Sequence, residues 1–191
     1  FDVLRWASNR SSSLAAAALV PLAVYLPLVI RRYGWSDDFP FLFEQGVTER
    51  IVANGRPLLA LVHRIAFASQ DIDALTFTRL VGVIGISAFA VLTAVILQRW
   101  GLSPWFSALL GGSTVLLPAF QTFAGWAITF SFSWVACVGL LAGELWVVSR
   151  RPVCRILAMV GMVAGLLVYP PAAFVCWSML AVRTALLRTP V

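Results

Sequence analysis

The chain has 191 residues, of which 61% are hydrophobic and 12% are charged. Soluble domains carry about 25% charged residues, so this composition excludes an ordinary soluble domain and indicates an integral membrane protein in a lipid bilayer. All fourteen basic residues are Arg, giving a formal net charge of +6, but they form no basic stripe with interleaved aromatic residues, and we predict no nucleic-acid partner.

Six apolar stretches meet or approach the ~20 residues that a helix needs to cross a bilayer. We therefore predict an all-α integral membrane fold in which residues 1–191 form a single transmembrane domain with about six spans. Because the chain starts with Phe and stops without a closing feature, we expect it to be a fragment of a larger fold. The predicted spans are residues 14–30, 80–97, 104–118, 126–148, 153–168 and 171–187.

The connection between the first two predicted spans, residues 31–78, is much longer than the others. It holds eleven of the 22 charged residues, five Arg and six acids, whereas the remainder of the chain carries nine Arg and two acids. We therefore expect any catalytic or binding site that needs ionisable groups to lie in this loop.

The Arg distribution predicts the orientation of the chain. With the N-terminus in the cytoplasm, eight Arg are cytoplasmic and six lie in or beside the long loop, and the two other loops on that side hold none. Cytoplasmic loops carry the excess of basic residues. We therefore expect the long loop outside the cytoplasm.

Two stretches within the loop have helical periodicity but are too short or too charged to span. We expect both to be amphipathic helices lying at the membrane interface. Pro40 and Pro57 suit first-turn positions, and Asn54-Gly55 is a turn signal between the helices. The apolar positions are Phe39, Phe43, Val47 and Ile51 in the first helix and Leu58, Leu61, Val62 and Ile65 in the second.

Small residues and cysteines inside the predicted spans point to packing and not to chemistry. Gly139/Gly143 and Gly161/Gly165 are GxxxG spacings, which let two helices approach closely. The three cysteines have no close metal-ligand spacing, and we expect them to pack as small hydrophobic residues.

The acidic pair Asp37-Asp38 follows the first span directly. A carboxylate just before a helix often caps it, which explains one Asp better than two. Neighbouring side chains point in different directions, so we expect different roles: one Asp acts on a substrate, and the other orients it, binds a divalent cation or caps the helix. The pattern does not require a metal ion. If a metal ion binds, Asp38 is its candidate ligand.

Four further loop residues are candidates for binding a phosphate. Arg56, in "NGRP", has a guanidinium whose fork geometry suits a phosphate, although a snorkelling interfacial Arg is the structural alternative. Arg32 and Arg64 are weaker candidates for binding the same phosphate. His63 points away from the apolar stripe of its helix and is the fourth candidate, or simply an interfacial residue.

Other chemistry has little support in the sequence. Glu144 is the only acid within a predicted span and lies one turn from its cytoplasmic end, where snorkelling explains it. Mid-membrane carboxylates of an ion-coupled transporter are missing, and no G-x-S-x-G nucleophile motif is present.

The acidic pair, followed about eighteen residues later by Gly-Arg at the start of a helix, resembles the GT-C superfamily of membrane glycosyltransferases. "SDDFPFL" and "NGRPLLALV" are most similar to the O-antigen glucosyltransferase family of bacteria and their phages. The resemblance is carried by residues 36–62, about a seventh of the chain.

The resemblance implies an inverting transferase of the bacterial inner membrane that uses a sugar linked to a polyprenyl phosphate. Its acceptor would be a glycan or lipid-linked glycan such as O-antigen, and its first loop would be periplasmic. Asp37 and Asp38 match the catalytic acidic pair, and Arg56 matches the Gly-Arg position. Two alternatives stay open: a non-catalytic subunit that binds or translocates a polyprenyl-phosphate carrier, and a structural subunit assembled through the GxxxG faces.

Overall fold

The computed structural model describes residues 2–44 and 46–188, with side chains described from residue 10 to residue 185. Over these residues the chain is helical and has no strand. The elements are α1 (Asp2–Ile30), α2 (Phe39–Phe43), α3 (Val47–Ala53), α4 (Pro57–Ala66), α5 (Ile72–Arg99), α6 (Pro104–Thr114), α7 (Pro118–Gly125), a 3₁₀ turn (Ala127–Thr129), α8 (Phe130–Val148), α9 (Pro152–Val168), α10 (Pro170–Ala173) and α11 (Val175–Arg188).

Three helical segments are long and apolar enough to cross a membrane: Arg10–Ile30, Ile72–Arg99 and Ala127–Val148. The α6–α7 pair makes a fourth if the two helices, bent by 63° at their junction, are counted as one span. The all-helical membrane class is therefore confirmed. The prediction of six spans is wrong, because the structure supports three or four.

Proline and helix length explain the missing spans. Pro118 cannot continue α6, since it lacks the N–H and clashes with the preceding turn, so it begins α7 instead. The Tyr169-Pro170-Pro171 sequence ends α9 after 17 residues. The last predicted span divides into α10 and α11, and the 14 residues of α11 rise about 21 Å, less than the ~30 Å bilayer core.

The second long helix begins eight residues earlier than predicted, at Ile72 and not at residue 80. Asp71 caps it, accepting a hydrogen bond from the backbone N–H of Asp73. The extra turns carry Thr78 and Arg79 into the helix, where both side chains are fully buried. The long loop is correspondingly shorter.

The first amphipathic helix predicted for the loop is two helices. Gly46 has a φ of +82°, a left-handed conformation that favours glycine, and it separates α2 from α3. The second predicted helix is confirmed as α4, which begins at Pro57 and presents Leu61 and Ile65 outward.

The helices pack closely where glycines allow it, as the GxxxG spacings predict. The backbone of α10 lies against α8 so closely that a Cβ on Gly139 would lie 2.6 Å from the carbonyl oxygen of Ala173. Cys137 and Cys176 are buried and all three cysteines are free thiols, which confirms the packing role predicted for these two.

The contacts define two ends of the helical bundle. At one end, here called the loop end, Tyr33 after α1 lies near Arg79 at the start of α5 and Gly125 at the end of α7. At the other end, here called the opposite end, Glu144 of α8 meets Arg99 of α5 and Arg183 of α11. The long loop and the end of α5 therefore lie at different ends, as the predicted topology requires.

We predict that Gly139→Ala lowers the free energy of unfolding by about 1–3 kcal/mol, because the new methyl group overlaps backbone that cannot move independently. Gly112→Ala is the matched control: its nearest neighbour is a Val20 side-chain atom at 3.8 Å, so Ala stabilises the helix by up to about 1 kcal/mol. Denaturant unfolding in detergent measures both variants. Equal effects would contradict the close packing.

Candidate functional site at the loop end

The Asp38 carboxylate is fully buried and has three hydrogen-bond donors. Its Oδ2 atom accepts from Arg79 Nη2 at 3.1 Å and from the Trp35 backbone N–H at 3.0 Å. Its Oδ1 atom accepts from the Ile128 backbone N–H at 3.3 Å. Asp38 therefore ties the loop to α5 and to the 3₁₀ turn before α8.

Arg79, also fully buried, extends this network to the other helices. Its Nε–H donates to the Gly125 carbonyl at 3.1 Å, and its guanidinium carbon lies 3.8 Å from the centre of the Tyr33 ring. The Tyr33 hydroxyl donates to the same carbonyl at 3.3 Å. A buried guanidinium needs a counter-charge and hydrogen-bond acceptors. Asp38 provides the charge and the acceptor for Nη2, and Gly125 the acceptor for Nε, while Nη1 has no hydrogen-bond partner in the described part of the chain.

Asp37, in contrast, is exposed. Its described contact is with the Ser36 hydroxyl, which lies 3.4 Å from Oδ1. The adjacent carboxylates thus have different environments, because the Asp38 side chain turns inward to Arg79. A carboxylate in the position of Asp37 can take a proton from a group that approaches from outside, whereas both oxygens of Asp38 are already used.

The capping interpretation of the pair is not supported by the geometry. Asp38 occupies the cap position of α2, but its side chain makes no cap hydrogen bond. Its carboxylate instead accepts from Trp35, which precedes it in the chain. The burial of Asp38 is therefore explained by Arg79 and not by the helix.

Arg56 is half-buried and lies over an aromatic ring. Its guanidinium carbon is 5.7 Å from the centre of the Tyr169 ring, which stacks on Phe132 with a centroid distance of 3.7 Å. Among the described residues, Arg56 has no carboxylate partner. The aromatic contact holds the side chain by a cation–π interaction and leaves its charge available to an anion.

His63 is buried at 4% exposure, beneath the loop helices. Its Nε2 lies 2.8 Å from the Ile128 carbonyl oxygen, and its ring contacts Phe41, Phe67 and Phe130. Burial lowers the pKa of His63 from 6.5 to about 4, and the hydrogen bond to Ile128 offsets this only in part. The residue is therefore neutral at pH 7 and supplies no positive charge for a phosphate.

The other two candidate phosphate ligands lie in different places. Arg32 is exposed and pairs with Asp73, where its Nη2 contacts both carboxylate oxygens, one of them at 2.6 Å. Arg64 is exposed on α4 and lines a cavity together with His63. The structure therefore does not bring the four predicted phosphate-binding residues together as one cluster.

The interpretation of Glu144 as a snorkelling side chain is wrong. The side chain is 7% exposed and lies 3.4 Å from Arg183 and 3.8 Å from Arg99. Because the two Arg come from neighbouring helices, the carboxylate is neutralised inside the bundle and does not need to reach the surface.

Arg79 is the residue at the site that the sequence analysis missed. In the sequence it borders the long loop and lies within a continuous apolar helical pattern. An Arg in such a pattern is rarely buried without an acid, so the pattern indicates an ion pair. It does not indicate which acid, because Asp71 and Asp73 are closer along the chain than Asp38.

A comparison of the chain with family models, curated proteins and solved structures found no match. The fold and the site define an all-helical membrane protein with its ionisable loop residues gathered at one end. The resemblance to glycosyltransferases stays a prediction.

We predict that Arg79→Gln lowers the free energy of unfolding by about 3–5 kcal/mol, because it leaves the Asp38 carboxylate buried without a counter-charge. Arg99→Gln is the matched control: Arg99 is 55% exposed and 3.8 Å from its partner, so its loss costs less than about 1 kcal/mol. Denaturant unfolding compares the two, and an equal loss would contradict the buried pair.

We also predict a pH dependence of stability from His63. The unfolded chain protonates this residue near pH 6.5 and the folded chain near pH 4, so stability falls as pH drops through that window, by about 3 kcal/mol in full. In His63→Gln this component is absent. The measurement is the free energy of unfolding of both proteins between pH 7 and pH 4; parallel curves would contradict the buried neutral ring.

Proposed function

We propose that the chain belongs to a polyprenyl-phosphate-sugar-dependent, inverting glycosyltransferase that modifies a cell-surface glycan such as O-antigen. One observation carries the proposal: of two adjacent carboxylates, Asp38 is buried in an ion pair and Asp37 is exposed at the loop end. The resemblance implies a catalytic Asp in this loop, and an exposed carboxylate beside one that holds the loop in place supports that role for Asp37.

In the proposed reaction Asp37 is the general base. Its carboxylate takes the proton of an acceptor hydroxyl as that oxygen attacks the anomeric carbon of the donor sugar. The bond between the anomeric carbon and the phosphate oxygen breaks on the opposite face, which inverts the configuration. The leaving polyprenyl phosphate takes the electron pair, and no general acid is needed because this leaving group is already stable as an anion.

Arg56 is proposed to stabilise the phosphate of the donor. It lies at the loop end, is held over Tyr169, and has no carboxylate partner in the described part of the chain. Charge grows on the phosphate as the bond to the sugar breaks, so a fixed guanidinium stabilises the transition state more than the ground state. Arg32 and Arg64 are not needed for this role.

A divalent cation at Asp38 does not fit these residues. The Arg79 guanidinium already supplies a positive charge to that carboxylate, and both oxygens accept hydrogen bonds. No group of three His, Cys, Asp or Glu side chains that could hold a metal ion occurs in the described ranges. The proposed role of Asp38 is therefore to hold the loop through Arg79.

The proposed location is the bacterial inner membrane, with the N-terminus in the cytoplasm and the loop end in the periplasm. The Arg distribution supports this orientation. The site then lies at membrane level, where the phosphate of a lipid-linked donor also lies.

We predict that Asp37→Asn in the intact protein lowers sugar transfer by 10²–10⁴-fold, roughly the contribution of a general base. Stability should change little, because Asp37 is exposed. The matched control is Asp73→Asn, which removes another exposed carboxylate and should keep transfer within about twofold. The measurement is transfer from a radiolabelled polyprenyl-phosphate sugar in membranes.

Full sugar transfer by the Asp37→Asn variant would refute the proposed glycosyltransferase function. Donor binding that depends on Arg56 but gives no transfer by the unaltered protein would support the alternative, a non-catalytic subunit that binds or translocates the polyprenyl-phosphate carrier.

A further inference from the structure

An apolar groove lies between α8, α9 and α11, in the part of α8 that leads to the opposite end. Its volume is about 280 Å³. The side chains of Trp146, Met159 and Trp177 are exposed along it, and in a membrane they are exposed to lipid. The groove is lined by Ala142, Trp146, Met159, Met162, Trp177 and Leu180, among others.

A positive charge lies at the edge of the apolar groove. Arg155 precedes Met159 by four residues and Met162 by seven, so the three side chains lie on one face of α9. The Arg155 guanidinium carbon lies 5.6 Å from the centre of the Trp146 ring. This cation–π contact holds the charge beside the lining, on the side of the opposite end.

The protein does not neutralise the charge at this edge. Arg150, Arg151 and Arg155 are exposed, and none of them has a carboxylate partner among the described residues. Glu144 is adjacent in the chain to the groove lining, but its carboxylate faces Arg99 and Arg183. Three guanidinium groups are therefore available to an anion such as a phosphate.

The helix faces that favour a second copy of the chain are already used within it. The Gly139/Gly143 face of α8 lies against α10 and α11, and the Gly161/Gly165 face of α9 lies against α8 and α10. Small residues of this kind let transmembrane helices associate closely. Because these faces are occupied, the apolar groove suits a flexible hydrocarbon chain better than another helix.

We propose that the apolar groove binds an acyl chain of an anionic membrane phospholipid, with the lipid phosphate against Arg155 and with Arg150 and Arg151 beside it. Basic pockets between transmembrane helices on the cytoplasmic side bind anionic head groups, and the predicted orientation places the opposite end there. A zwitterionic lipid brings its own positive charge and gains less from the three Arg. The site lies far from Asp37 and does not depend on the proposed function.

The test compares phosphatidylglycerol, which has one net negative charge, with phosphatidylcholine of the same acyl chains, which has none. Native mass spectrometry of the full chain in detergent, titrated with each lipid, gives Kd. We expect phosphatidylglycerol to bind at least tenfold more tightly. Arg155→Gln should weaken phosphatidylglycerol binding about fivefold, the effect of one basic residue on an anionic lipid, and should leave phosphatidylcholine binding unchanged.

The matched control is Arg31→Gln, which removes another exposed Arg at the loop end and should change neither Kd. Glycerol 3-phosphate, a head group without acyl chains, should not displace the lipid, because the groove contributes to binding. A phosphatidylglycerol with a photoreactive diazirine in one acyl chain then locates the site, and we expect the label on Met159, Met162 or Trp177.

Four results would overturn the proposal. The two lipids bind equally, Arg31→Gln weakens binding as much as Arg155→Gln does, glycerol 3-phosphate competes, or the photolabel spreads evenly over the outward faces of α1 and α5. A lipid-free dimer cross-linked through α9 would show instead that a second copy covers the apolar groove, and it would also overturn the proposal.

Discussion

The ion pair between Asp38 and Arg79 is the constraint on which the loop end depends. Removing both charges from water is expensive, and the pair is tolerated because its members also bond to backbone groups of Trp35, Gly125 and Ile128. Together with the ion pair itself, these bonds join the loop after α1 to α5, α7 and the 3₁₀ turn. The result is a fixed position for a loop that would otherwise be held only by short helices.

This constraint divides the loop end into regions with different chemistry. The Arg56 guanidinium over Tyr169 offers a positive charge, whereas the charges of Asp38 and Arg79 neutralise each other inside the bundle. Asp37 stands exposed beside the buried pair. A reaction in which a glycan hydroxyl displaces a lipid phosphate needs an anion site and a base, and the proposed function assigns these roles to Arg56 and Asp37.

The sequence predicted the class of fold better than the side-chain geometry of the candidate site. Apolar runs located α1, α5 and α8, because hydropathy reports burial in lipid directly. Counting apolar stretches by their length predicted too many spans. Pro118 and the Tyr169-Pro170-Pro171 sequence interrupt helices within stretches whose mean hydropathy is high. The division between Asp37 and Asp38 was expected from side-chain geometry, but the partner of Asp38 was not, because a contact across 41 residues leaves no local pattern. The different surroundings of Arg56, over Tyr169, and His63, against Ile128, also depend on contacts between distant residues and leave no local pattern.

Chemical labelling measures directly whether the two adjacent carboxylates differ in accessibility. The folded chain in detergent is treated with a carbodiimide and glycine ethyl ester, and fragment-ion mass spectrometry resolves modification at Asp37 from modification at Asp38. We predict that Asp37 is labelled, that Asp38 is protected, and that denaturation or Arg79→Gln exposes Asp38. Equal labelling of both residues in the folded chain would contradict this prediction.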